Sequence, residues 1–220
     1  ETSLLHGKVD VPANKIKNYI LASPIKTHLS KLSKLDMKGL LGLDLRLEIP
    51  LYPENDEVLA LGTITFNDNQ ATFHHTLNDV MVNHLYGLLQ FNEHGITDSK
   101  LQARLLGDPV AIRLQSVSAP EPATVVNIEG DTTIDLLRDK LDLPLFSFME
   151  GHLSVVSQLT LTNNPNDLDH MQISTPLKGV AIDLPAPLGK ISEESAPLMI
   201  DVDFNPDKAL RMRFNYDNRL

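Results

Sequence analysis

At 220 residues the chain is long enough to bury a real core, as one large unit or two smaller ones. A formal net charge of −10 with no basic stripe excludes a nucleic-acid binder that works by displacing counterions from phosphates. Aromatic residues at 5% with no Trp argue against a sugar-stacking platform, and the lack of Cys excludes disulfides and thiolate metal sites.

Residues 3–11 alternate apolar and polar side chains and predict a strand, because successive strand side chains point to opposite faces. Residues 14–34 change period. Ile16, Tyr19 and Ile20 share one helical face, Ile25, Leu29 and Leu32 another, and Ser23-Pro24 suits a cap followed by a first helical turn. The lysines between Lys8 and Lys38, spaced by apolar residues, predict a solvated helix face. Lys38-Gly39 then releases the chain into a long strand, 40–51, with Leu41, Leu43, Leu45, Leu47 and Ile49 on one side. A meander follows over 57–66, 69–77, 80–92, 99–106 and 109–117. Its turns are marked by Asn67-Asp68-Asn69, Asn92-Glu93-His94-Gly95 and Gly107-Asp108-Pro109.

The proline-bearing link 119–122 divides the chain into a first repeat, 1–118, and a second, 123–220. The second reads as strand 123–129, helix 133–141, Phe146 and Phe148, and a long strand 152–162 carrying Leu153, Val155, Leu159 and Leu161. Strands 168–175, 178–184, 197–205 and 208–216 complete it. The last two place Ile200, Val202 and Phe204, then Leu210, Met212 and Phe214, on one side. Met37 and Met149 stand 112 positions apart (149 − 37), and the same offset matches Gly39 to Gly151, Leu41 to Leu153, Leu43 to Val155, Leu47 to Leu159 and Ile49 to Leu161. Each unit is thus a helix, a Gly, a long alternating strand and a meander, the sign of a repeated supersecondary unit. Such ribbons in series make a sheet with one large apolar face, and what covers that face decides the function.

Residues that carry chemistry are sparse. His74 and His75 are neighbours in a strand and point to opposite faces, while His84, His94, His152 and His170 each read as isolated surface residues. Asp201 and Asp203 share a face but alternate with Ile200, Val202 and Phe204, which makes them the wet side of an amphipathic strand. Ser99, between Asp98 and Lys100, has no His in a recognisable arrangement. Zinc-protease, nucleophile-elbow, phosphate-loop and EF-hand patterns are all missing.

Two stretches carry a family likeness. Residues 177–190, Leu-Lys-Gly-Val-Ala-Ile-Asp-Leu-Pro-Ala-Pro-Leu-Gly-Lys, lead into Glu193-Glu194-Ser195-Ala196-Pro197-Leu198. Gly87-Leu88-Leu89-Gln90-Phe91 precedes a run from Gly95 to Val110 of the form Gly, Ser-x-Leu-x-Ala-x-Leu-x-Gly-x-Pro-Val. With the helix-Gly-strand spacing, these resemble the YhdP family, large AsmA-like envelope proteins of Gram-negative bacteria. The resemblance implies a bridge-like lipid transfer protein of the periplasm, carrying phospholipid between the inner and outer membranes, with no enzymatic activity and no cofactor. The chain begins at Glu1 with neither a signal peptide nor a run of about 18 apolar residues. It therefore reads as an internal piece whose membrane contact lies elsewhere in a longer protein, with envelope protein partners unknown.

The expected fold is mainly β with a few short helices, its repeated long antiparallel strands forming a curled, groove-like sheet. The expected groove lining is Leu41, Leu43, Leu45, Leu47, Ile49, Leu153, Val155, Leu159, Leu161, Ile200, Val202, Phe204, Leu210, Met212 and Phe214, with the helices at 14–34 and 133–148 capping part of it. Two other readings stay open: a self-packed β domain that works through its edges and loops, and a β-rich enzyme acting on polysaccharide.

Overall fold

A computed structural model describes residues 2–15, 35–51, 58–73, 79–119, 121–141, 143–164, 166–205 and 208–217. Most of these are strand: β1 (Thr2–Pro12), β2 (Asp36–Lys38), β3 (Leu40–Pro50), β4 (Leu59–Phe73), β5 (Val80–Asn92), β6 (Gly95–Ile96), β7 (Ser99–Leu105) and β8 (Asp108–Val117). Then come β9 (Ala123–Thr133), helix α1 (Ile134–Leu141), β10 (Met149–Thr162), β11 (Asp169–Thr175), β12 (Val180–Ile182), β13 (Leu198–Asn205) and β14 (Lys208–Tyr216). Single 3-10 turns occupy Ala13–Lys15 and Pro144–Phe148. The expected helix falls mostly on 16–34, outside the described residues, as do His74 and His75. Lys8 and Lys38 lie on strands β1 and β2 rather than on a helix face.

Each long strand pairs antiparallel with the next in sequence, giving one open sheet in the order β1-β3-β4-β5-β7-β8-β9-β10-β11-β13-β14. β8 pairs with β9 over Val110–Val117, so the ladder passes the 119–122 link without a break. The short strands attach at the side, β2 on β4, β6 on β5 and β12 on β10. Antiparallel sheets tolerate one dry and one wet face, which is the pattern the alternating sequence requires.

Two local readings change. The expected turn at Asn67-Asp68-Asn69 is a bulge inside one long strand, β4, which replaces the expected pair 57–66 and 69–77. Asp68 takes a left-handed conformation at φ 60°, and the Asn69 side chain turns inward and is fully buried. There Asn69 Nδ2 donates to the carbonyls of Lys38 (3.2 Å) and Leu40 (2.9 Å), while its Oδ1 accepts from the Asn67 amide at 2.8 Å. Turn-forming residues also suit a bulge, and these buried hydrogen bonds select the bulge. The second change is the expected strand 178–184, which shortens to β12, Val180–Ile182, inside a loop.

The two glycines matched by the 112-residue offset play the same part. Gly39 (φ 102°) and Gly151 (φ 119°) both sit where a strand kinks away from its first neighbour, in a region that favours Gly. A Cβ on Gly39 would run into Asn69, and one on Gly151 into the carbonyl of Gly179. N-terminal to the glycines the pairings differ: Asp36–Lys38 stay on β4, which also pairs with β3, whereas Met149–Gly151 pair with β12.

The sheet is strongly coiled. Phe73 at the end of β4 and Phe204 near the end of β13 meet edge to face, ring centroids 6.4 Å apart. Phe66 on β4 and Ile200 on β13 lie on one continuous register line, and the two rings sit on opposite sides of it. On a flat sheet, seven strand spacings of about 4.8 Å and roughly 30 Å of strand would hold the rings about 45 Å apart. Accumulated right-handed twist brings them into contact and rolls one face inward.

Candidate functional site

The inward face carries a line across eleven strands that is apolar except at Ser157 and holds no charged residue. In pairing order it runs Val11, Leu41, Phe66, Gly87, Leu101, Ile112, Ile128, Ser157, Ile173, Ile200, Phe214. A parallel line contains Val9, Leu43, Ile64 and Leu89, and then Ser99, Leu114, Val126, Leu159, Met171, Val202 and Met212. Ser99 interrupts the oil without leaving a polar group unmet, since its hydroxyl donates to the carbonyl of Thr97 (2.9 Å) and accepts from the Gln90 amide (2.8 Å).

The adjacent register line faces the other way and is mostly polar: Asp10, Gly42, Thr65, Leu88, Lys100, Arg113, Asn127, Gln158, Gln172, Asp201, Arg213. Ion pairs and hydrogen bonds from side-chain amides lace this wet face. Gln158 donates to Asn127 (3.0 Å) and Gln172 to Asp201 (3.0 Å). His170 lies between Asp203 (2.8 Å) and Asp201 (3.5 Å), and Arg213 reaches Asp203 at 3.4 Å. His170 and Arg213 hold the Asp203 carboxyl below its ordinary pKa, chiefly through the His170 hydrogen bond. His6 and Lys8 each meet Asp44 at 2.8 Å, and both lower its pKa, Lys8 the more. His84 and His170, expected to be isolated, each have a carboxylate neighbour, Asp68 at 2.7 Å in the case of His84. A wet-face recess of about 390 Å³ beside that pair is lined by Asp68, Asn69, Gln70, Asn83, His84, Arg104 and Gly107. Among the described residues no group of three or more His, Asp or Glu side chains could hold a metal ion.

By strand alternation the residues singled out from the sequence all stand on the inward face, but in different surroundings. Leu41 is buried and Leu43 and Leu45 pack against the larger core, while Leu47 and Ile49 follow toward the far end of β3. Leu159 and Leu161 on β10, Ile200, Val202 and Phe204 on β13, and Leu210 on β14 are buried or partly buried. Met212 and Phe214, on the free-edge strand β14, are 49% and 56% exposed. At the other edge, on β1, Val9 is 50% exposed but Val11 is buried, and Ile64, Leu89, Leu101, Ile112, Leu114 and Val126 in the middle do not exceed 7%. The sequence reading passed over these central residues. All but Val126, which lies on β9, belong to the meander, where the apolar alternation is broken by Gly, Asn and Thr more often than in the long runs.

Leu153 and Val155 belong to a second apolar cluster at one end of the inward face. Three pieces of chain lie over them: α1, the 3-10 turn at Pro144–Phe148, and the loop 176–197. Thr133 caps α1, its hydroxyl accepting from the Leu136 amide at 3.1 Å. Arg138 ties the helix to the following turn through the carbonyls of Phe146 (2.9 Å) and Met149 (2.8 Å). The loop holds one of the two stretches that carry the family likeness, and Lys190 organises it. Only 7% exposed, its ammonium donates to the carbonyls of Leu177 (2.9 Å), Ile191 (3.0 Å) and Val180. Burial pushes the Lys190 pKa below the ordinary lysine range, against the pull of Glu194 and Glu193. No buried side-chain nitrogen or oxygen among the described residues lacks a partner.

An open antiparallel sheet, rolled so that a largely apolar, uncharged face lines its inside, defines a β-trough protein. The chain matches the YhdP protein family over residues 1–220 and belongs to that family. No curated protein and no solved structure matches it. No helix among the described residues is long and apolar enough to cross a membrane.

Proposed function

We propose that this chain is a segment of a periplasmic lipid conduit, in which the inward face shelters phospholipid acyl chains while headgroups stay in water. The observation that carries the reading is the apolar line crossing all eleven paired strands without a charged residue. Membership of an AsmA-related family supports it. Holding a phospholipid in bare water exposes on the order of 30 methylenes, a barrier of roughly 24 kcal/mol at about 0.8 kcal/mol each. A trough as oily as the bilayer removes most of that barrier, and a uniform wall of Leu, Ile and Val lets the lipid slide without a tight site. No bond is made or broken, so the function needs no catalytic residue.

A second reading is favoured by one feature, the near-complete burial of the central strands' apolar residues: a self-packed β domain that holds no ligand. Native mass spectrometry and solvent extraction of the purified protein separate the two. The conduit reading expects co-purifying phospholipid that is lost when Leu43 and Leu45 are changed to Asp in protein that still folds. Lipid-free protein that also takes up no phospholipid from vesicles would overturn it.

A further inference from the structure

The loop 176–197 differs from the other connections among the described residues in what it covers. It leaves β11 and returns to β13, but between them it lies over the inward face, burying Leu177, Val180 and Ala196 against Leu153, Leu198 and Tyr216. Ile134 and Leu137 of α1 join the same cluster. Its base is closed by the Ala196 amide on the Pro176 carbonyl (3.0 Å), and its waist by the Gly179 amide on the Ser192 carbonyl (2.8 Å). Ile182 and Lys190 exchange both backbone hydrogen bonds (2.9 and 3.1 Å). Besides the ladder of β12 on β10, it is tied down by the His152 amide to the Gly179 carbonyl (3.1 Å), the Asp183 amide to the Phe148 carbonyl (2.8 Å), and the Tyr216 hydroxyl to the Leu188 carbonyl (3.0 Å). A buried ammonium shared by three carbonyls holds together segments that would otherwise separate.

These ties distinguish a fixed element from a mobile flap. Flaps open at low cost because they have few buried apolar contacts and solvent-exposed backbone hydrogen bonds. This loop has the opposite character. It fills the inward face at the end where β10 begins and β14 finishes, and beyond it Ile200 on β13 is half-buried while Met212 and Phe214 on β14 are exposed.

We propose that the loop 176–197, cinched by Lys190, is a floor built into the trough, which confines acyl chains to the register lines through Ile200 and Val202 and denies them Leu153, Val155 and Leu198. The inference rests on the conduit reading and adds to it where the lipid path ends. Lys190 is a positioning residue: it touches no lipid and sets the depth of the trough by holding the loop down. The Leu-Lys-Gly-Val-Ala-Ile run thereby acquires a physical reason. Gly179, at φ 92°, lets the chain pass close under β10, and the apolar residues beside it seal the face below.

The test uses the whole chain with vesicles of phosphatidylethanolamine and phosphatidylglycerol containing a trace of phosphatidylethanolamine with a diazirine at its acyl tail. After illumination, labelled peptides are mapped by mass spectrometry. Label is expected across 199–214 and absent from 149–155. In Lys190→Met, label on 149–155 is expected to rise at least tenfold while that on 199–214 persists. Hydrogen exchange without lipid gives a second readout: the amides of His152, Gly179 and Ile182 exchange at least tenfold faster in the variant, and those of β3 and β4 do not change. Should Lys190→Met not yield folded protein, Leu188→Ala loosens the same loop more mildly and takes its place. Equal labelling of 149–155 and 199–214 in the unaltered protein would overturn the floor alone, as would unchanged exchange in a folded variant. No label anywhere would overturn the conduit reading and the floor with it.

Discussion

Replacing Phe214 with Asp puts a carboxylate on the apolar line where the fold depends on it least. The ring is 56% exposed, so less than half of its burial is at stake. Full burial of a Phe stabilises by about 1.5–3 kcal/mol, and Asp is a poor strand residue, so the expected loss is about 1–2 kcal/mol. For a chain of this length that lowers Tm by roughly 2–8 °C and leaves a folded protein. Against hydrocarbon the same carboxylate costs about 2.5–3.5 kcal/mol, which weakens lipid retention at that point by roughly 60- to 300-fold. The control is Leu61→Asp. Leu61 is 60% exposed and pairs with Arg46 and Asn92 on the wet face, so it carries a similar stability cost and no contact with the trough. The assay is native mass spectrometry of bound phospholipid beside thermal unfolding followed by circular dichroism. Unchanged lipid in Phe214→Asp, or equal loss in Leu61→Asp, would refute the argument that the inward face is the one that matters.

Asn69→Ala removes a fully buried side chain that satisfies three backbone groups, and chemical denaturation is expected to show a loss of about 2–4 kcal/mol. Gly151→Ala combines a left-handed backbone with a Cβ driven into the Gly179 carbonyl, for a similar loss of about 2–4 kcal/mol by the same measurement. A double-mutant cycle on Phe73 and Phe204, each changed to Ala, is expected to give a coupling of about 0.5–1.5 kcal/mol, and no coupling would mean that the walls do not meet there. Asp203 has its folded pKa below the ordinary 3.8, so its stabilising effect is complete above that pH and is lost as pH falls through the folded value. Asp203→Asn is therefore expected to be less stable than the unaltered protein near neutral pH and to converge with it in acid titrations followed by circular dichroism.

Much of the fold was legible because a strand has a period of two and this chain keeps it for long stretches. The run through Leu41–Ile49 placed β3 almost to the residue, that through Leu153–Leu161 placed β10 but for its first three residues, and Thr133 to Leu141 announced α1. Asn67-Asp68-Asn69 was ambiguous, because the same side chains that favour a turn also tolerate the left-handed bulge that Asn69 locks from within. His170 gave no sign of its two aspartates, since they lie on a neighbouring strand that only the register brings alongside. Lys190 was hidden for the same reason. A lysine beside a glycine reads as surface, and its burial depends on a loop that folds back over the sheet.

Alternation along each segment settled which side of every ribbon is oily, because side-chain direction is a local property of extended backbone. The rolling of those ribbons into a trough, the meeting of Phe73 with Phe204 and the covering of Leu153 by the loop 176–197 were decided in three dimensions. Each depends on small twists added over many strand spacings, or on contacts between residues far apart in the chain, and neither leaves a periodic trace in the order of amino acids.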